Sequence, residues 1–368
     1  MTHRERLLAA LRREAPDQVP VTWELVGRCA LALTGNFGWK GQCDAHRMIG
    51  SSIFNLQGVG PYVTASPHEG YEPRIRTEKR PDGSTITTRT IVTPRGSLTE
   101  RTQSGYMPHD PTVGKRIEYP VKNRKDYEVY VDYVRAGLEN ATFTTDVSRE
   151  ARDYVGDDGL VGHWMCDAVY ALSWARHDTE FIIDLVEEPK LMHRLLEVMD
   201  EHTRLGLRAF NESVADVMVF DICWASTSLL NPKMVREYVI PRARWAIEMV
   251  RKDKIIGFFT SGRIRDVLPD LADLEPAFIQ HLDVLGDCDL AEVKRAFGKR
   301  FCLMGNYSPV VLARGTLDDA RREAKRCLDA AMEGGGYVMS TSDEVPADAR
   351  LDNMKAVVEY VAQHGRYG

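Results

Sequence analysis

From about residue 158 the chain alternates short apolar runs with amphipathic helical patterns, and no other feature restricts the fold as strongly. The strand-like runs lie at 160–164, 217–221, 255–260, 278–282, 301–305 and 337–341. Between them lie helical patterns at 189–211, 232–252, 264–274, 289–297 and 317–332. Strand followed by helix, repeated, predicts a parallel sheet. Two earlier apolar segments, 19–22 and 52–56, bring the strand count to about eight, the number that closes a barrel. The expected fold is therefore α/β, a (β/α)8 TIM barrel, with a doubly wound open sheet as the alternative. No GxGxxG follows the first strand, which removes the usual support for dinucleotide binding on an open sheet.

Residues 72–104 break the rhythm. They alternate polar with β-branched side chains around the turn signal Pro81-Asp82-Gly83, which predicts a small antiparallel β-hairpin or meander inserted into the barrel. The stretch 108–122 reads as irregular chain leading into a helix near 126–137. With 368 residues, 43% hydrophobic and 28% charged, residues 1–368 fit a single barrel domain carrying this insertion. The net charge is −6 and no Lys/Arg stripe occurs, so nucleic acid is not an expected partner. The first twenty residues form a charged amphipathic pattern without the apolar stretch of a leader, and nothing approaches a membrane span. A cytoplasmic location is expected. The seven cysteines are widely spaced without a CxxC, which argues against a disulfide framework or a closed zinc site.

In a barrel, polar residues just past a strand sit on the catalytic face. Here these are Trp23, Glu24 and Arg28 after the first strand, and His163 and Asp167 around the third. Asp221 and Trp224 follow the fourth, and Thr260-Ser261-Gly-Arg263 the fifth. His281 and Asp283 follow the sixth, with Gln280 just ahead of them. Asn306 follows the seventh, and Ser340-Thr-Ser-Asp343-Glu344 the last. Each has a plainer reading. Asp221 is also a helix or turn cap, and Thr260 and Ser261 are also N-cap types beside Gly262. Thr260 to Arg263 equally resembles an anion site at a helix start. His281 is alternatively a packed core histidine. The recurrence of polar groups at successive strand ends favours a functional site. GxSxG and HExxH are absent, and Gly334-Gly-Gly336 lacks the Lys-Ser/Thr of a P-loop, so it reads as a helix stop.

These residues carry a resemblance. Arg4-Glu-Arg-Leu-Leu with Asp17-Gln-Val-Pro20, Gly27-Arg28, Phe220-Asp221 through Leu230-Asn-Pro232, and Tyr238-Val-Ile-Pro241 resemble the uroporphyrinogen decarboxylase superfamily. So do Asp289-Leu-Ala-Glu-Val-Lys294, Met304-Gly-Asn306, Gly334-Gly-Gly-Tyr337 and the stretch from Pro346 to Asn353. The superfamily comprises decarboxylases and corrinoid-linked methyltransferases on a (β/α)8 barrel. The decarboxylases hold substrate carboxylates with an arginine-rich segment. Its counterpart here, Val21-Thr-Trp-Glu-Leu-Val-Gly-Arg28, keeps only Arg28, and Glu24 opposes a polycarboxylate. No acidic residue stands near Asn55-Leu-Gln57, where the decarboxylases carry one. Zinc methyltransferases use His-x-Cys at the fifth strand and a Cys at the eighth. The counterparts here are Phe259-Thr260-Ser261 and Ser342-Asp343, so no metal is expected.

The chain is most similar to a third branch, with the hairpin insertion and an Asp in the last loop, whose members are associated with corrinoid-dependent demethylation. The resemblance implies a methyltransferase moving a methyl group from a small O-methylated substrate to a corrinoid on a partner protein, with no tightly bound cofactor of its own. Asp221, His281, Asp343 and Glu344 are the acid candidates, Arg28 and Arg263 the anion-stabilising ones. Trp23, Trp224 and Tyr170 are candidate walls for a flat substrate. The alternatives are a cofactor-free decarboxylase and a non-catalytic ligand-binding member. The resemblance also implies a homodimer.

Overall fold

Seven of the apolar runs and segments become strands of one parallel sheet in the computed structural model, which describes residues 1–60, 62–64, 69–71, 73–107 and 113–368. Across the sheet the order is Ile53–Asn55, Gly159–Cys166, Val217–Asp221, Ile255–Phe259, Phe278–His281, Cys302–Gly305 and Tyr337–Val338. Val217–Asp221 is buried along its whole length, as a parallel strand covered on both faces must be. The predicted strand at 19–22 makes a single parallel bridge, Val21 to Met339, instead of a named strand. It nevertheless hydrogen-bonds to both sheet edges: Thr22 N–H donates to the Met339 carbonyl at 2.9 Å, and Ser52 N–H to the Val21 carbonyl at 2.8 Å.

The helix His3–Leu11 decides which end of this sheet is structural. A capping box between Thr2 and Glu5 starts it. Its Leu7, Ala10 and Leu11 pack with Leu160, Val217, Phe278 and Cys302, which stand at or near the starts of their strands. Arg4 locks the same end with a two-toothed bond to Asp216, at 2.6 and 2.9 Å. Apolar packing thus fills the strand starts, and the polar residues gather where strands end.

The chain divides into two compact units: Met1–Pro61, Thr145–Met165 and Leu207–Gly368 form the first; Tyr62–Thr144 and Cys166–Gly206 form the second. The second unit carries a four-stranded antiparallel sheet in the order Pro73–Lys79, Thr85–Thr93, Gly96–Ser104, Gly114–Glu118. Of the two expected arrangements, hairpin or meander, the meander is the one present, with a fourth strand beyond residue 104. The fourth strand falls in the stretch read as irregular, because Gly114-Lys-Arg-Ile-Glu118 has one apolar residue and becomes a strand only by pairing with Gly96–Ser104. Positions 108–112 of that stretch, with Pro61 and Glu72, lie outside the described residues. The turn signal works as expected: Gly83 has φ +84° and the Asp82 carboxylate accepts from Ser84 N–H at 2.9 Å. The helix Arg124–Leu138 packs on this sheet, where the Tyr133 hydroxyl accepts from Arg89 at 3.0 Å and a Cβ at Gly96 would lie 3.6 Å from Val129.

Two helices differ from expectation. The pattern at 264–274 is helical only over Leu268–Ala272, since Pro269 cannot donate in a longer helix. The pattern at 232–252 ends at Met249 and contains a π turn at Val235–Val239. No helix among the described residues is long and apolar enough to cross a membrane.

Candidate functional site

His281 closes the Phe278–His281 strand and is fully buried. Its backbone is left-handed, φ +87°, and so is that of Leu282, φ +44°. For residues with a Cβ this costs about 1–3 kcal/mol each and marks a position held by its surroundings. The neighbours that hold it are visible. Thr260 Oγ1 donates to the Gln280 carbonyl at 3.0 Å and Asn306 Nδ2 to the Leu282 carbonyl at 3.0 Å. Gly305 pairs with His281, and a Cβ there would lie 2.3 Å from the His281 carbonyl oxygen, so only glycine permits the approach.

Beside His281 stands a buried carboxylate. Glu24 Oε1 accepts from Asn55 Nδ2 at 2.9 Å and Oε2 from Gln280 Nε2 at 2.7 Å. His281 Nε2 lies 4.0 Å from the same Oε2 and 3.0 Å from Gln280 Nε2. The Phe259 ring packs on the imidazole with centroids 4.2 Å apart. Glu24 thus anchors two amides.

Asp221 closes the next-but-one strand and is 2% exposed. Its Oδ2 accepts from Trp164 Nε1 at 3.1 Å and its Oδ1 from Cys223 N–H at 2.8 Å. Burial pushes its pKa up to about 6, against the pull of the Cys223 bond, the His281 charge and the Trp164 bond. Asp343 is exposed at one edge, but protein atoms crowd its carboxyl and raise its pKa; Asp283 adds to the rise, while His281 and Arg28 oppose it. Glu24, Asp221, Asp283, Asp343 and His281 thus belong to one acidic cluster in the first unit.

The cations are already engaged. Arg28 pairs with Glu344. Arg263 is exposed, with Nε 3.5 Å from Asp287, and Gly262 N–H donates to Asp283 at 3.2 Å. The anion-site reading of Thr260 to Arg263 is corrected: no helix starts there, Thr260 is buried under the strand ends, and a carboxylate already occupies the Gly262 amide. Ser261 is half-buried beside it. Trp23 is buried edge-on against Tyr307 at 5.5 Å, and Trp224 is buried in the turn after Asp221.

His163 lies inside its strand, which runs on to Cys166. Burial lowers its pKa to about 4; it stacks on Phe210 and sits so close to Gly60 that a Cβ there would be 1.5 Å from its ring. It is a packed neutral histidine. Asp167 and Tyr170 belong to the second unit, where Asp167 caps the helix Ala168–Ser173 by accepting from Tyr170 N–H at 2.8 Å. Trp164, which holds Asp221, and Asn55, which holds Glu24, were not anticipated; an apolar run hides an indole donor, and an amide has no motif. No group of three or more His, Cys, Asp or Glu among the described residues is placed to hold a metal.

The chain matches the uroporphyrinogen decarboxylase (URO-D) family model over residues 116–364. It is 27% identical over 279 residues to uroporphyrinogen decarboxylase of Chlorobaculum tepidum, covering 68% of this chain and 73% of that enzyme. With the decarboxylase of Methylococcus capsulatus it shares 29% over 180 residues, 48% of this chain and 50% of that one. Among solved structures, a methyltransferase from Methanosarcina mazei superposes with a TM-score of 0.68 at 20% identity, covering 99% of both chains. That likeness carries the fold, a parallel sheet with helices of the barrel-like kind, and the family model spans well over half the sequence. The chain belongs to the uroporphyrinogen decarboxylase family.

Proposed function

We propose that the protein is a methyltransferase that takes a methyl group from a small, O-methylated substrate and passes it to a corrinoid carried by a separate protein. Asp221 carries the reading: a buried carboxyl, held near 6 and bonded only by neutral donors, keeps a proton available close to neutral pH. An ether oxygen leaves poorly as an anion, and a carboxyl that protonates it as the C–O bond breaks removes that obstacle. The aromatic rings of Trp164, Trp224 and Phe259 near this end of the sheet suit an apolar methyl group. The partner's corrinoid supplies the nucleophile.

The arginines argue in the same direction. Arg28 and Arg263 are paired with Glu344 and Asp287, which leaves a polycarboxylate without the clamp it needs. The decarboxylase relatives favour the second reading, loss of carbon dioxide from a small carboxylate. The methyl-transfer reading takes segment 19–22 as the eighth stave of a (β/α)8 barrel, since it bonds to both sheet edges, and the antiparallel sheet as an insertion.

The test pairs purified protein with a reduced corrinoid protein and methoxylated aromatics or methylated amines. Methylated corrinoid, followed by its visible spectrum, is the expected product, and Asp221→Asn lowers its rate by 10²-fold or more, about the range for a lost general acid. Carbon dioxide release from a carboxylate without any corrinoid protein would sink methyl transfer in favour of the second reading.

A further inference from the structure

We propose that Gln280 is a positioning residue that holds His281 with its proton on Nδ1 and a lone pair on Nε2, so that the site presents one buried imidazole N–H. The assignment follows from donor counting. Gln280 Nε2 lies 2.7 Å from Glu24 Oε2 and 3.0 Å from His281 Nε2. An amide nitrogen has two hydrogens and no acceptor, so it donates one to each neighbour. His281 Nε2 must then accept, and the ring proton goes to Nδ1.

The opposite orientation of the Gln280 amide is excluded by Glu24. Turned over, its carbonyl oxygen would face a carboxylate oxygen at 2.7 Å, two acceptors with no proton between them. Asn55 secures the other end of that carboxylate at 2.9 Å, and Thr260 holds the Gln280 backbone at 3.0 Å. Asn55, Glu24, Gln280 and His281 thus form one buried chain in which Glu24 accepts from both amides and Gln280 donates to both Glu24 and His281. Asp221 and Asp343 also act on His281 through their charge. A proton on Nε2 would point at the Gln280 amide hydrogens.

His281 Nδ1 itself is buried and has no hydrogen-bond partner among the described residues. A buried N–H left unmatched costs about 1–3 kcal/mol, which an acceptor on a bound molecule recovers. The chemical class it fits is an ether or phenolic oxygen, or another lone pair on a neutral substrate. That last role rests on the methyl-transfer reading, whereas the tautomer does not.

Long-range 1H–15N spectra of protein labelled at histidine nitrogen test the assignment, with the His281 signals identified by their loss in His281→Asn. At neutral pH a proton-bearing Nδ1 and a bare Nε2 are expected. A proton on Nε2, alone or on a doubly protonated ring, overturns the proposal. In Gln280→Met, Nε2 loses its donor and keeps the Glu24 carboxylate 4.0 Å away, so the proton moves to that nitrogen; an unchanged Nδ1–H pattern in this variant would remove Gln280 from the role. The wild-type spectrum decides the tautomer even if the variant fails to fold. Should the spectra behave as expected while no methyl transfer is found, the functional reading fails and the tautomer stands.

Discussion

Asp184 in the second unit and Asp221 in the first are both buried carboxylates, 1% and 2% exposed, yet they are built for opposite ends. Asp184 accepts from Arg176 Nε at 2.7 Å, Arg124 Nε at 3.2 Å and the Tyr127 hydroxyl at 3.1 Å. Two guanidinium groups match its charge, and it ties the helix Asp178–Glu187 to the start of Arg124–Leu138. Asp221 accepts from the Trp164 indole and from Cys223, both neutral, and these bonds offset only part of the cost of burying its charge. A buried carboxylate with cations is a structural fastener. One with only neutral donors keeps its proton into the working pH range.

The largest expected effect attacks the fastener. Asp184→Ala leaves Arg176, whose side chain is 11% exposed, as a buried charge without its partner, and such a break costs about 3–5 kcal/mol. Urea denaturation should show a lower midpoint to match. A loss under about 1 kcal/mol would mean that the two carboxylates are not different in kind.

Next comes a swing with pH. In the unfolded chain the Asp221 carboxyl titrates near 3.8 and in the folded protein near 6. The folded state holds the extra proton between these values, so stability falls as pH rises from about 4 to about 6. At 1.4 kcal/mol per pH unit the full swing is about 3 kcal/mol. Asp221→Asn removes it. The variant should lose less stability than the parent between pH 4 and pH 7, by about that amount, in parallel denaturation curves. Equal slopes for the two proteins would place the Asp221 titration elsewhere.

The contrast also explains what the sequence made legible. Asp221 was visible because it ends a run of four apolar residues, Val217-Met-Val-Phe220, and such a run in a parallel sheet puts its next residue at the strand end. His281 was visible for the same reason. The partners were not. Asn55 and Gln280 are neutral amides whose purpose depends on Glu24, which lies 31 and 256 positions away in the chain, and no periodicity encodes that meeting. Asp167 looked equivalent to Asp221 by position, but the next residue opens the helix Ala168–Ser173, and Asp167 caps it. Arg263 followed a Gly at a strand end, the right local grammar for an anion site, and Asp283 and Asp287 from the following loop cancelled it. The sheet of the second unit was half legible: its turn has a composition signal, whereas its fourth strand has only a partner.

A third prediction asks whether the strained end of the His281 strand is as firmly built as the fastener. Gly305→Ala brings a Cβ to 2.3 Å from the His281 carbonyl oxygen, and overpacking of this kind costs about 1–3 kcal/mol. The loss should appear in thermal unfolding together with a shifted His281 imidazole signal. A stable variant with an unmoved signal would show that this strand end relaxes freely, and the positive φ of His281 would then need another cause.

The smallest effect separates burial from partner identity. Arg28–Glu344 is the same chemical pair as the Arg176–Asp184 fastener, but its side chains are 31% and 35% exposed against 11% and 2%. Water screens the attraction, and two long side chains must be ordered to make it, so a pair of this exposure contributes about 0–1 kcal/mol. A double-mutant cycle with Arg28→Met and Glu344→Gln should give a coupling in that range that shrinks as salt is raised. The matching cycle with Arg176→Met and Asp184→Asn should give a larger coupling that salt barely changes. If the two couplings came out alike, the pairing itself would set the strength of these contacts. The division between carboxylates that fasten and carboxylates that hold a proton would then have to be drawn from the partner's charge alone, with burial playing no part.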